Sequence, residues 1–236
     1  MKRSNILLLS LSAVLLSGLF LTDHLLVLQY AKVDLGDRYK NFELLALRPF
    51  KALKITGGNG YAIRVLQGDN YHIRLMNSRK EFFKMKLLND TLSVIFSVAN
   101  QNYQLPEAST VGLIITVPAI RYLQLSGTNN EIGPFRQDSM RITQDKNTLS
   151  RLKELQFKSL DIEGTGLSQF DFVSKNTVNS LHLQLRNSSF ANLRDVSFQR
   201  IYPILQDSAG MVFHKGSLNN LTGSNAISTA NPLRDH

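Results

Sequence analysis

Leu123-Gln-Leu-Ser-Gly-Thr128, Leu160-Asp-Ile-Glu-Gly-Thr165, Leu183-Gln-Leu-Arg-Asn-Ser188 and Pro203-Ile-Leu-Gln-Asp-Ser208 are four versions of one six-residue phrase. Aligned on the second apolar position (Leu125, Ile162, Leu185, Leu205), they recur at intervals of 37, 23 and 20 residues. Spacings of 20 and 23 suit one coil of a β-solenoid. The interval of 37 leaves room for a further rung at Met140 and Ile142.

Each phrase carries the parts a coil needs. Two apolar residues alternate with outward ones, as in Leu160 and Ile162 or Leu183 and Leu185. Two places past the reference comes a residue suited to a corner, Gly127, Gly164, Asn187 or Asp207, because Gly, Asn and Asp tolerate left-handed backbone angles best. A hydroxyl follows each time, Thr128, Thr165, Ser188 and Ser208, and stacked hydroxyls can satisfy turn amides. Eight places on, Phe170, Leu193 and Phe213 return to the core, with Ile132 one place earlier. One coil cannot bury its own apolar side, so coils must stack. The competing arrangement is four coincidental strands in a sandwich. A helical leucine-rich repeat is disfavoured, because no coil contains an apolar period of 3.6.

Upstream, from Phe50, the period is two. Leu53 and Ile55, then Ile63 and Val65, then Ile73 and Leu75 lie in short runs broken by Gly57-Gly58-Asn59-Gly60 and Gly68-Asp69-Asn70, both suited to positive φ. Leu92, Val94 and Phe96 alternate with Ser93, Ile95 and Ser97, and Val111 to Val117 is ended by Pro118. The expectation is an antiparallel meander over 49–118 leading into a solenoid over 119–225, with a flexible tail at 226–236.

Lys2 and Arg3 precede an uncharged apolar run from Ile6 to Leu21, the two regions of a targeting segment. No good pair of small residues marks a cleavage site. Extension to Thr22 gives 17 residues, the lower edge of the ~17–25 that span a bilayer, and Leu25 to Leu28 can continue the helix. The reading favours an uncleaved signal-anchor over 1–28, a cytoplasmic amino terminus and a carboxy-terminal domain in the periplasm. Export after cleavage is the alternative. Residues 29–48 are mixed polar and read as a juxtamembrane linker.

The strand and proline at Leu113-Ile-Ile-Thr-Val-Pro118, the alternation at Phe50-Lys-Ala-Leu-Lys-Ile-Thr56 and the Leu-Ser-Gly-Thr and Ile-Glu-Gly-Thr-Gly steps resemble the head-GIN-domain family. Its members are designated "putative auto-transporter adhesins" of bacterial envelopes. The resemblance covers roughly residues 48–225. It implies an all-β fold in which an antiparallel strand-rich region leads into a right-handed β-solenoid, here preceded by one apolar helix. Asn187 and Asp207 replace the family's glycine. The family offers no accepted catalytic residue to carry over.

Composition narrows the chemistry. The 236 residues include no cysteine, which excludes a disulfide framework, a thiolate metal site and a cysteine nucleophile. The net charge of +9 sits mainly in residues 1–100, with fourteen Lys and Arg against seven Asp and Glu. Lys80, Lys84 and Lys86 with Phe82 and Phe83 are the one candidate for nucleic-acid contact, and no binding module accompanies them, so no nucleic-acid partner is expected. The same basic half suits anionic lipid headgroups. Histidines 24, 72, 182, 214 and 236 share no metal-ligand spacing, and no phosphate loop, nucleophile elbow or calcium loop occurs, so neither metal nor cofactor is expected.

Stacking the four phrases places Ser159, His182 and Tyr202 in one outward column, Asp161, Gln184 and Ile204 in the next, and Glu163, Arg186 and Gln206 in a third. Glu163 is then expected to pair with Arg186. Asp161, Glu163, His182 and Arg186 form a polar patch with an acid, a base and a cation. A solvated sheet face would look the same. The favoured function is a non-enzymatic, membrane-tethered envelope protein whose solenoid binds an unidentified protein or glycan. The alternative is a carbohydrate lyase or hydrolase working at the patch.

Overall fold

The structure, a computed structural model, describes residues 3–31, 39–57, 61–96 and 110–213. The chain divides into two units, Met1–Lys40 and Asn41–His236.

The first unit contains α1 (Arg3–Ala31), one uninterrupted helix. The stretch Ser10–Tyr30 is 21 residues long with mean hydropathy 1.9, and none of it is buried in protein. At 1.5 Å per residue it reaches about 31 Å, the thickness of a bilayer's hydrocarbon core. Two of its hydroxyls are satisfied within the helix. Ser17 Oγ donates to Ala13 O at 2.8 Å and Thr22 Oγ1 to Gly18 O at 2.9 Å.

The second unit is β apart from one short 3-10 helix, Asn77–Phe82, among the described residues. Its strands are β1 (Phe42–Ala46), β2 (Ala52–Thr56), β3 (Ala62–Gln67), β4 (His72–Met76), β5 (Phe83–Leu88), β6 (Thr91–Phe96), β7 (Val111–Val117), β8 (Tyr122–Ser126), β9 (Asn129–Ile132), β10 (Phe135–Asp145), β11 (Leu149–Lys153), β12 (Leu155–Gly164), β13 (Gln169–Val173), β14 (Asn176–Leu185), β15 (Phe190–Leu193), β16 (Val196–Leu205) and β17 (Gly210–Phe213). From β8 onward they form five successive coils, each contributing one strand to either of two sheets. One sheet runs β16-β14-β12-β10-β8-β2-β6-β5, the other β17-β15-β13-β11-β9-β3-β7-β4-β1. All pairs between successive coils are parallel, so the chain is a β-solenoid as expected.

The segment before Pro118 is a mixture. Antiparallel pairing occurs between β1 and β4, β4 and β7, and β5 and β6. The strands β2 and β3, however, lie parallel to β8 and β9 and extend the solenoid backwards. β6 and β7 stack parallel on their other side, so the spatial order departs from the chain order. Local turn signals could not show this, because they mark where strands end and not which strand comes alongside. Strand β1 forms within the segment expected as linker. The turn at Gly58-Asn59-Gly60 and the tail at 226–236 lie outside the described residues. Gly68 needs no positive φ; a Cβ there would meet Thr116 Cγ2 at 2.5 Å.

The repeat itself is tighter than the four phrases suggested. Leu125, Gln144, Gly164, Leu185 and Leu205 share one inward row, spaced by 19, 20, 21 and 20 residues. Leu123, Ile142, Ile162 and Leu183 form the neighbouring row. The further rung at Ile142 is therefore real, whereas Ile162 belongs one inward position away from Leu125 and Leu185. The alignment slipped because the third coil puts Gly164 where other coils put a larger residue. A Cβ on Gly164 would lie 2.7 Å from Phe170 Cε2. Phe170 occupies that volume from the opposite sheet, in a row where its neighbours are Ser150 and Ala191. Ile132 correspondingly stands over Leu152 and not over Phe170.

The corners shift with it. Left-handed backbone occurs at Gly127 and at the consecutive pairs Lys146-Asn147, Gly166-Leu167, Asn187-Ser188 and Asp207-Ser208. Gly164 lies within a strand; Gly166 makes that corner. The buried hydroxyl ladder is Thr128, Thr148, Ser168 and Ser189, in place of the expected Thr165, Ser188 and Ser208. At another corner Asn176 is fully buried. Its Nδ2 donates to the carbonyls of Leu152, Val173, Ser174 and Asp195, and its Oδ1 accepts from Leu155 N at 3.0 Å. One amide thereby ties three coils together.

Candidate functional site

On a strand, alternate residues face one side, so the inward row fixes what points out. Between the inward residues of the sheet that contains the long strands β10, β12, β14 and β16, the long sheet, lie two outward columns. Tyr122, Arg141, Asp161, His182 and Tyr202 form the first. Gln124, Thr143, Glu163, Gln184 and Ile204 form the second. Correcting the register by two residues moves His182 beside Asp161 and Gln184 beside Glu163. It also removes Arg186 from the column of Glu163.

The structure thus brings together three of the four expected site residues. Asp161, Glu163 and His182 line a groove of about 300 Å3 with Arg141, Gln184, Tyr202 and Ile204, floored by Ile162 and Leu183. Arg186 does not line it and lies against the amide of Gln184. The cation that Glu163 meets is Arg141, whose Nη2 donates to Oε2 at 3.0 Å. That pair is open to solvent, with side-chain exposures of 56% and 36%, and contributes only ~0–1 kcal/mol to stability. Its effect is positional, since it holds the Glu163 carboxylate toward β10. Asp161 has no ion-pair partner among the described residues.

His182 and Tyr202 stack across successive rungs with centroids 4.7 Å apart and planes inclined at 29°. The separation follows from the ~4.8 Å spacing of parallel strands. Tyr202 remains 44% exposed and Ile204 53%. The groove therefore grades from cation on β10, through carboxylates on β12, to imidazole and amide on β14, and ends on an aromatic and aliphatic wall on β16.

Sequence reasoning did not place Arg141, Tyr202 and Ile204 at one site. Arg141 was legible in principle, for a residue between the inward Met140 and Ile142 must face out. Tyr202 and Ile204 stood in the expected columns, but two residues out of step with Asp161.

The arrangement offers hydrogen-bond acceptors, one amide and a half-exposed tyrosine ring to something lying across the rungs. Among the described residues no cluster of His, Asp and Glu is disposed to hold a metal ion. The other sheet's outer face is a charge ladder closed on itself. Glu131 is ion-paired with Arg64, at 3.2 Å from its Nε, and with Lys153. At its far end His72 Nε2 accepts from Arg74 Nη1 at 2.8 Å, which puts the imidazole proton on Nδ1. Burial, and then the Arg74 charge, hold the His72 pKa below its ordinary value, while a hydrogen bond to the backbone of Asn70 pulls the other way.

Comparison with known proteins yields relatives by fold alone. No family model and no curated protein matches the sequence. Among solved structures, the chain is similar to a "putative adhesin" from Bacteroides fragilis, with TM-score 0.55 and 11% identity over 72% of this chain and 78% of that one. It is likewise similar to a "putative adhesin" from Parabacteroides merdae, with TM-score 0.51 and 14% identity over 73% and 80%. The class the fold defines is a β-solenoid, similar in its backbone to those two structures.

Proposed function

We propose that this chain is a non-enzymatic, membrane-tethered protein of a bacterial envelope whose solenoid presents its long sheet to a protein or glycan. The observation that carries the reading is the open groove between β10 and β16. Its exposed aromatic wall and unpaired Asp161 are mounted on parallel rungs whose interior is fully packed. Parallel coils keep such columns rigid, so little ordering is left to do on binding. The adhesin designation of the two similar structures agrees with this reading without naming a ligand for this chain.

Tethering rests on α1. A 21-residue apolar span in which Ser17 and Thr22 bond back to helix carbonyls suits a bilayer interior, where unpaired polar groups cost several kcal/mol. Lys2 and Arg3 on the short flank favour a cytoplasmic amino terminus and a periplasmic solenoid. We assign the helix as an uncleaved anchor. Intact mass of the exported protein tests this, with residues 1–28 retained if the assignment is right and missing if a peptidase removes them.

A second reading, a carbohydrate lyase or hydrolase, is favoured by one observation: Asp161, Glu163 and His182 do meet in one groove. Against it, acid and base roles are separated by burying one carboxyl in apolar surroundings, and Asp161 is exposed while Glu163 faces Arg141. The deciding experiment uses the full chain in mild detergent. Retention of an envelope component, with no turnover on a glycan panel, supports the binding reading. Turnover that disappears in an Asp161→Ala, Glu163→Ala double variant supports the enzyme.

A further inference from the structure

Two other surfaces resemble sites at first sight. The larger groove, about 570 Å3, is bounded by Pro118, Pro134 and Arg136, but the Gln67 amide within it is committed. It donates to Pro118 O at 2.8 Å and accepts from Arg136 N at 2.7 Å. The basic edge strand β5 alternates Lys84 and Lys86 with exposed Met85, Leu87 and Leu88, a pattern that itself guards a free sheet edge. The β10–β16 groove differs because its groups converge and one of them is unspent.

We propose that this groove takes a neutral pyranose residue of a glycan, and this rests on the surface-binding function above. Three features select that chemistry. The first is the aromatic wall. Stacking against His182 fixes Tyr202 in place while leaving it 44% exposed, and Ile204 continues the apolar surface, as the C–H-rich face of a sugar ring requires. The second is the polar side. Asp161 and Glu163, two residues apart on one strand, stand about 6.6 Å from each other, so their carboxylates can accept from hydroxyls on different sides of one ring. The Gln184 amide turns its oxygen to Arg186, which leaves its NH2 to donate to a hydroxyl oxygen.

The third feature is charge. Arg141 directs its guanidinium to Glu163, leaving Asp161 without a cation. A uronate or sialate carboxylate seated in the groove would face that second negative charge. Neutral rings are therefore accepted and acidic ones turned away. Size points the same way. A volume of about 300 Å3 is at the small end of ligand sites, the scale of a single small ring system.

The test is binding of the detergent-solubilised full chain to immobilised oligosaccharides, one set of neutral hexoses and N-acetylhexosamines and one set bearing uronic acids. The parent binds members of the neutral set and not the acidic set. Tyr202→Ala weakens neutral binding by about tenfold, and Tyr202→Phe largely retains it. Asp161→Asn lets acidic members bind. Because both positions lie at the exposed surface, unchanged unfolding midpoints confirm that folding is intact. Binding to acidic sugars by the parent, neutral binding indifferent to Tyr202→Ala, or no binding to either set overturns the assignment. If the parent binds neither set but still retains an envelope protein, the surface-binding function stands and only the sugar is wrong. If it retains nothing, both fall.

Discussion

Gly164 and Phe170 share a space that every other coil fills differently, and this makes the packing testable by transplantation. In the preceding coil the facing residues are Gln144 and Ser150, hydrogen-bonded at 2.6 Å. In the following coil Leu185 and Ala191 occupy the same two rows. Phe170 is fully buried, so Phe170→Ala should cost about 3–5 kcal/mol, the sum of lost transfer energy and the cavity left behind. Gly164→Leu alone must displace a ring that a Cβ would already approach to 2.7 Å, at a cost of about 1–3 kcal/mol or more. The double variant reproduces the Leu185/Ala191 solution one rung away. It should lie within about 1.5 kcal/mol of the parent, giving a coupling of roughly 3 kcal/mol or more between the two sites. Gly164 has ordinary extended backbone, so leucine is not opposed there by φ. Urea unfolding followed by far-ultraviolet circular dichroism, on the full chain in detergent, supplies the midpoints. Equal slopes across the variants are the check that one cooperative transition is being compared. Additive losses in the double variant would refute the idea that these two side chains exchange volume.

Two further predictions concern the remaining polar devices. Asn176→Ala removes the partner of Leu155 N and of four carbonyls in a buried corner, and should destabilise by roughly 2–4 kcal/mol in the same unfolding assay. Asn176→Asp should be little better, since a carboxylate cannot donate to those carbonyls. For His72 the sign follows from its lowered pKa: the folded state binds the proton less readily than the unfolded chain does, so the contribution is present above the ordinary ~6.5 and is lost as pH falls through the folded value. Unfolding midpoints between pH 8 and 5 should therefore decline on acidification, less steeply in His72→Gln, which still accepts from Arg74. Parallel curves for parent and variant would contradict this.

The sequence disclosed architecture through residues that every coil must repeat, and misled where coils differ. The alternation at Leu183 and Leu185 and the left-handed corners at Asn187 and Asp207 are demanded by each rung separately, so they were readable one rung at a time. Register is not a local property. Gly164 resembled a corner glycine because Gly-Thr follows an apolar pair there as at Gly127, yet it is a strand residue made small by Phe170 across the core. That single substitution of volume shifted Ile162 by one inward place, and with it every outward neighbour assigned to Asp161 and Glu163. The parallel placement of β2 and β3 was hidden for the same reason, since their partners come from 60 to 80 residues away.

The absence of cysteine from the chain permits a direct measurement of that register. Side by side on parallel strands, Glu163 and Gln184 have Cα atoms ~4.8 Å apart, within reach of a disulfide. Glu163 and Arg186 are separated by a further two residues along the strand, about 8 Å in all, beyond that reach. Under mild oxidation the Glu163→Cys, Gln184→Cys variant should close an intramolecular disulfide, and Glu163→Cys, Arg186→Cys should stay reduced. The opposite pattern would dismantle the two columns, and with them the groove.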